Sequence, residues 1–343
     1  MTDITIRGAG IFGLSIAWAC TQRGAKIRII DPHGPGTGSS GGIVGALAPH
    51  VPENWNPKKA FQLESLLMAE DFWREVAEAG GKSSGYARTG RLQPIADTAA
   101  HELALRRTGT ARNLWGDAAT WEVMPAPQTD WQPNSPDGYI INDTLSAHLH
   151  PRQACEALVA ALHAQGVEVQ SEGADRGAVL WATGVAGLEA MNTGRLRLVG
   201  SGVKGQAALL QFDAAGKPQL FASGVHIIPH LDGTVAIGST SERVYDDPAS
   251  TDAQLDDVIE VARAAVPVLR DAPVIARWAG VRPRARSRAP MLGAWPDRDG
   301  HYIANGGFKI GFGMAPKIAD VIADLILKGE NSIPGGFHVE DNL

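Results

Sequence analysis

The chain has 343 residues, 44% of them hydrophobic and 20% charged, so it is long enough for two domains and has the composition of an ordinary globular protein. Its net charge of −6 argues against a nucleic-acid partner, which a basic excess would mark. Two distant cysteines exclude a disulfide framework, and ten scattered histidines without HxxxH or CxxC company give metal chemistry no support.

Ile4 and Ile6 predict a short strand, which runs into Gly8-Ala-Gly-Ile-Phe-Gly13 and then a helix from Leu14 to Arg23 closed by Gly24. A second strand holding Ile27, Ile29 and Ile30 delivers Asp31 roughly 20 residues after the glycines, the reach a carboxylate needs to bond a ribose hydroxyl pair. Strand, glycine turn, helix, strand and acid together predict a bound dinucleotide, with phosphates at the helix N-terminus. Arg7 is out of place, because a parallel strand usually carries an apolar residue there.

No basic n-region or cleavage site leads into the first strand, and no apolar run reaches membrane-spanning length. The expectation is a cytoplasmic protein with no membrane span. A Gly- and Ser-rich loop from His33 to Gly45 gives way to Ala46-Leu-Ala-Pro49, and apolar residues at Phe61, Leu63, Leu66, Leu67, Ala69, Phe72, Trp73 and Val76 predict a long amphipathic helix over 58–79. The region from Gly85 to Tyr139 is rich in Trp, Pro and Gly, with a strand entry at Thr89 to Pro94. A helix follows from Pro151 to Gln165, then a short strand at Val167 to Val169, then a buried strand at Ala178 to Gly184. Alternating runs at Ala207 to Phe212, Val225 to Pro229 and Thr234 to Ile237 predict an antiparallel sheet. A helix over 252–265, a strand near 274–278 and a final helix over 316–327 complete the chain.

Taken together these residues resemble the FAD-dependent D-amino-acid oxidase superfamily, in particular its glycine oxidase, sarcosine oxidase and D-amino-acid dehydrogenase branch. Ser39-Ser-Gly-Gly-Ile-Val-Gly-Ala-Leu-Ala-Pro49 is similar to the family's flavin loop, Gly166 to Val169 to the strand that meets the adenine, and Trp181-Ala-Thr-Gly184 to its "ATG" turn. Lys204-Gly-Gln206 resembles the "RGQ" strand, and His226-Ile-Ile-Pro229 with Asp232 to Gly238 resembles the "YLVP…DGxVxxG" pair. Trp278-Ala-Gly-Val-Arg-Pro283 is similar to "WAGLRP", and Asn305 to Gly311 to the "GHxRNG" loop.

The resemblance implies a mixed α/β fold: a Rossmann-like FAD-binding domain (1–84, 140–198 and 289–343) interleaved with an antiparallel β-sheet substrate domain (85–139 and 199–288). It implies noncovalent FAD, since no cysteine or histidine tether stands at the flavin loop, held by Gly8, Gly10, Ile11, Phe12, Gly13, Asp31, Ser39, Ser40, Gly45, Ala46, Leu47, Val169, Thr183, Gly184, Gly280, Gly306, Gly307, Phe308, Lys309, Ile310 and Gly311. Arg282 is implied to grip a substrate carboxylate with its planar fork, and Lys309 or its loop to stabilise reduced flavin. His226 stands where glycine-oxidase-like members carry tyrosine, and the oxygen-activating lysine of sarcosine oxidases has no counterpart near Val235 to Ile237. Arg284, Arg286 and Arg288, in place of the usual threonine and aspartate, raise the option of an acidic substrate.

The expected activity is oxidation of the C–N bond of an amino acid or N-alkyl amino acid, the small-molecule substrate being the main partner and self-association left open. A 2-hydroxy-acid oxidase of the same fold, a nicotinamide-dependent dehydrogenase and a non-catalytic flavin-binding subunit remain as alternatives.

Overall fold

The computed structural model describes residues 3–343; the first two residues of the expected 1–84 segment lie outside them. Strand β1 (Asp3–Arg7) buries Ile4 and Ile6 completely, and helix α1 (Ile11–Gln22) packs behind it. Every residue of α1 from Ile11 to Cys20 is buried, so this helix is apolar all round and occupies the centre of the larger core. Gly24, at φ 78°, turns the chain into β2 (Lys26–Ile30), which pairs in parallel with β1.

The flavin-loop segment contributes the short strand β3 (Ala46–Leu47) and leads to α2 (Pro57–Gly80). Asn56 caps α2 by accepting the Lys59 N–H, Pro57 occupies its first turn, and Gly81 ends it in the left-handed region. After β4 (Arg91–Pro94) comes α3 (Thr98–Trp115), a helix the sequence reading did not anticipate, followed by β5 (Trp121–Pro125), β6 (Tyr139–Asp143) and β7 (Ala147–His148). Helix α4 (Pro151–Ala164), strands β8 (Val169–Gln170) and β9 (Ala178–Trp181) and helix α5 (Gly184–Asn192) follow. Then come β10 (Gly200–Gln211), β11 (Gln219–Ala222), β12 (Val225–Pro229), β13 (Thr234–Gly238), α6 (Ala253–Ala265) and β14 (Val274–Ala285). The chain closes with β15 (Met291–Ala294), β16 (His301–Asn305) and α7 (Gly311–Lys328).

Two sheets organise the molecule. The six-stranded sheet, in the order β15-β16-β9-β1-β2-β8, is parallel apart from its β15–β16 edge, and α1, α4 and α7 cover it. The eight-stranded sheet runs β14-β10-β13-β12-β11-β4-β6-β5 and is antiparallel except where β11 meets β4. One of its faces packs on α6 through Ala208, Leu210, Val235 and Ile237, while Ala207, Ile228 and Ala236 on the other face hold Ile43 of the flavin loop. The mixed α/β class and the interleaving of parallel and antiparallel layers therefore match expectation. Strand β6 straddles the expected segment boundary at 139/140 and pairs along its length with β4 and β5 of the eight-stranded sheet.

Three elements differ in extent from their sequence signals. Strand β14 continues to Ala285, seven residues beyond Trp278, because β10 pairs with it as far as Gly200. Strand β8 is only Val169–Gln170. The last helix starts at Gly311, which places Pro316 inside it rather than at its start, and Lys317 donates its N–H to the buried Ser65 hydroxyl at 3.2 Å.

Candidate active site

The expected residues, with the exceptions of Gly13 and Val169, line one cavity of about 1140 Å³ between the two sheets. That exceeds the roughly 300–1,000 Å³ of a typical small-molecule pocket, so it has room for a dinucleotide together with a substrate. At the nucleotide end the glycines are sterically required. A Cβ on Gly8, which sits at φ 104°, would come within 2.4 Å of the Ala182 carbonyl oxygen, and one on Gly13 would come within 1.9 Å of the Gly8 oxygen. Gly13 therefore serves the packing of α1 on the β1 turn. Val169 pairs with Ile29 at the sheet edge, away from the cavity.

The first N–H groups of α1 have no carbonyl partners inside the helix. The buried Ser40 hydroxyl accepts one of them, from Ile11 at 3.0 Å, and keeps its own proton to donate into the cavity. The Asp31 carboxylate accepts the Ala9 N–H at 2.8 Å and the His33 N–H at 2.9 Å, which fixes both oxygens while leaving lone pairs for ribose hydroxyls. Arg7 also lines this end. It pairs with Asp175 at 2.8 Å in the short polar turn before β9, and its guanidinium lies 5.5 Å from the Trp181 ring centroid. Its unusual place in a parallel strand was the sequence signal for this role.

The opposite end is built by the flavin loop, the loop before α7 and β14. A Cβ on Gly45 would meet the Leu149 oxygen at 2.0 Å, one on Gly280 would meet the Trp278 ring at 2.4 Å, and one on Gly307 the Phe12 ring at 2.7 Å. Asn305 is buried and holds the turn, donating from Nδ2 to the Gly184 carbonyl at 2.9 Å and accepting the Gly306 N–H at 2.7 Å. The chain then enters α7, whose first residues, Gly311 to Gly313, present the positive end of a helix to the cavity.

Arg282 is the electrostatic centre of this end. It is buried, at 9% exposure, and donates to Ser239 Oγ at 2.8 Å, the Thr240 carbonyl at 2.7 Å and the Lys204 carbonyl at 3.2 Å. Its Nε finds no partner, and among the described residues no carboxylate forms an ion pair with it. Glu242 is already committed: it faces Lys204 at 3.7 Å and accepts from Gln206 at 3.1 Å and from Thr240. Burial pulls Arg282 down to about 10, against the opposing pull of Glu242. A buried cation whose anion is missing is costly, and the cavity beside it is where an anion fits.

Two neighbours complete the polar equipment. His226 lines the cavity with Nδ1 buried and unpartnered, and burial, followed by the charges of Arg91 and Lys309, pushes its pKa down to about 3, so it is neutral under physiological conditions. In the sequence His226 stands out only as the replacement of a tyrosine. Lys309 is exposed at the cavity edge, with its ammonium 5.8 Å from the Phe308 ring centroid; local desolvation first and Arg282 second hold its pKa below the usual lysine value. The other three arginines do not line the cavity. Arg284 lies over Phe308, Arg286 donates to the Asp341 and Leu343 carbonyls, and Arg288 is exposed.

The residues present thus fit an FAD: capped helix N–H groups and a fixed acid at one end, a glycine-lined slot at the other. Comparison with known proteins agrees. A family described as FAD dependent oxidoreductase, DAO, matches residues 3–325. The bifunctional protein ThiO/ThiG of Nostoc sp. (strain PCC 7120) is 25% identical over 360 residues, 95% of this chain and 53% of its own length, so the chain spans about half of that relative. The glycine oxidase of Geobacillus kaustophilus is 24% identical over 96% of this chain and 94% of its own length. Its crystal structure matches with a TM-score of 0.85 at 19% identity, covering 99% of both chains. Iminodiacetate oxidase from Chelativorans sp. BNC1 matches with the same TM-score at 20% identity, covering 98% of each. These structural likenesses establish the fold, and the family match sets the nicotinamide alternative aside: the chain belongs to the DAO family of FAD-dependent oxidoreductases.

Proposed function

We propose that this protein oxidises the C–N bond of an amino acid or an N-alkyl amino acid to an imine, which water then hydrolyses. The observation that carries the reading is the buried, anion-less Arg282 in the wall of the same cavity that holds the nucleotide motif. FAD, held by the glycine turn, Asp31, Ser40 and the loop before α7, would supply the two-electron acceptor. Everything else the chain provides is position and field.

Arg282 holds the substrate carboxylate, and its bonds to Ser239, Thr240 and Lys204 keep the guanidinium from turning away. The reacting amine must be neutral. The apolar walls around Val44, Leu47 and Trp278 disfavour its charged form, and His226 offers its unpartnered Nδ1 in the same wall. Lys309, the Gly306 to Gly311 backbone and the N-terminus of α7 supply positive potential where negative charge develops on reduction. On this reading the segments 1–84, 140–198 and 289–343 form the FAD-binding domain, less residues 140–143 of β6, which join 85–139 and 199–288 in the substrate domain. Two buried free cysteines suit a reducing, cytoplasmic location, which cell fractionation checks. The relatives named glycine oxidase and iminodiacetate oxidase favour an amine over a 2-hydroxy acid.

The test is anaerobic bleaching of the yellow holoenzyme with D-, L- and N-methyl amino acids and with 2-hydroxy acids. Bleaching by amines and not by hydroxy acids is expected. Bleaching by hydroxy acids alone, or by nothing in the panel, would replace the reading with one of its alternatives.

A further inference from the structure

Beside the flavin loop, the fold brings His230, far along the sequence, against the near neighbours His148 and His150. His150 stands at the N-terminus of α4, His148 in β7, and His230 at the end of β12, with Asp232 in the β12–β13 turn. One ligand atom from each of His150, His230 and Asp232 lies within 4.8 Å of the others. The two rings stand 4.4 Å apart, centroid to centroid.

His150 is 8% exposed and His230 1% exposed, yet Nδ1 of His150 and Nε2 of His230 have no hydrogen-bond partner. The tautomer of His230 is set by its neighbours. The Thr234 hydroxyl donates to Asp232 at 2.7 Å, so it can only accept from Nδ1 of His230, at 3.1 Å. Nε2 of His230 is then left as a buried bare lone pair. A hydrogen-bonded partner holding the far nitrogen of an imidazole is the usual support for a metal-binding histidine. Asp232 is steadied in turn by Gln153 of α4 at 3.1 Å, and its exposed side gives an ion a route from solvent.

We propose that His150, His230 and Asp232 form a binding site for a divalent transition ion, Zn²⁺ above all, which ties α4 to the β12–β13 hairpin. Two imidazoles and one carboxylate, with solvent filling the remaining position, are a ligand set that zinc accepts. Each ring keeps a buried nitrogen without a partner, Nδ1 in His150 and Nε2 in His230, as the atom an ion can take. His148 is fully buried with both nitrogens unpartnered and lies beside the cluster without joining it. The site is structural in placement. Leu149, between His148 and His150, donates its N–H to the Gly45 carbonyl of the flavin loop at 3.1 Å, so an ion here stiffens the wall on which that loop rests.

The test uses tag-free holoenzyme stripped with EDTA, reloaded with Zn²⁺ and desalted, with metal and flavin measured on the same sample. The wild type is expected to retain about one ion per chain and to gain about 5 °C in unfolding midpoint. His230→Gln and Asp232→Asn are expected to retain less than about a tenth as much while keeping their flavin. Asp232→Asn changes an exposed side chain and decides the matter if His230→Gln folds poorly. A wild type that holds no zinc, or an Asp232→Asn variant that holds as much as wild type, overturns the proposal.

Discussion

Arg282 owes its position to a residue that has no side chain. Gly205 lies diagonally across the β10–β14 ladder, and a Cβ there would come within 1.9 Å of Arg282 Nη2. Gly205→Ala should therefore displace the guanidinium and raise KM for the carboxylate substrate about tenfold or more, equivalent to about 1.4 kcal/mol, with the flavin still bound. Steady-state kinetics and flavin content measured together check this. The sequence made the "WAGLRP"-like arginine legible because its neighbours follow a local pattern. It could not show that Ser239, Thr240 and Lys204 hold the fork, nor that no acid neutralises it, because those relations join strands about 40 to 80 residues apart. The unpartnered Nδ1 of His226 and the His150, His230 and Asp232 group were hidden for the same reason. Histidine spacing along the chain carries no sign of a cluster that a sheet and a helix assemble.

Among the elements, the β10–β14 pair and the turn after β13 hold the most concentrated buried charge. Lys204, 2% exposed, faces Glu242, 8% exposed, and the two exchange backbone hydrogen bonds as well. Lys204→Met leaves Glu242 buried without its cation and should cost about 3–5 kcal/mol of stability, whereas adding Glu242→Gln should restore much of it. Urea unfolding of the single and double variants measures both. The elements read correctly were those with a clear period or a glycine signature, such as β1, α1, β2, α2 and α4. Helix α3 escaped because only Ala104, Ala111 and Trp115 of its 18 residues are buried; Leu105 faces solvent and Gly109 interrupts it. Its end signals, Asp97 bonding the Ala100 N–H and Gly116 at positive φ, were present in a region dominated by Trp, Pro and Gly. Helix α7 was misjudged at its start because proline usually opens a helix, and here Ser65 of α2 takes the N–H of the residue after it.

For the molecule as a whole, buried neutral histidines set the acid limit. His148 is pushed down to about 4 and His230 to about 3, so between pH 6 and pH 4 the unfolded chain takes up protons that the native state refuses. These folded values, like that of His226 at about 3, lie below the unfolded one, so the stability is fully present well above about pH 6.5 and is lost as pH falls, by up to roughly 1.4 kcal/mol per pH unit for each histidine. Unfolding of metal-free protein from pH 7 to pH 5 should show this slope, and His148→Gln should flatten it. On the proposed reading, Arg282, buried in the wall of the cavity and without an anion, is the meeting point of nucleotide and substrate. That claim is tested most directly by anaerobic reduction of the bound flavin with an amino acid and with its carboxamide, in wild type and in Arg282→Met. The account predicts that the variant loses at least about 100-fold in reduction rate per molar substrate with the acid, about 2.7 kcal/mol, and changes little with the amide. Equal losses with both substrates, or none with the acid, would contradict it.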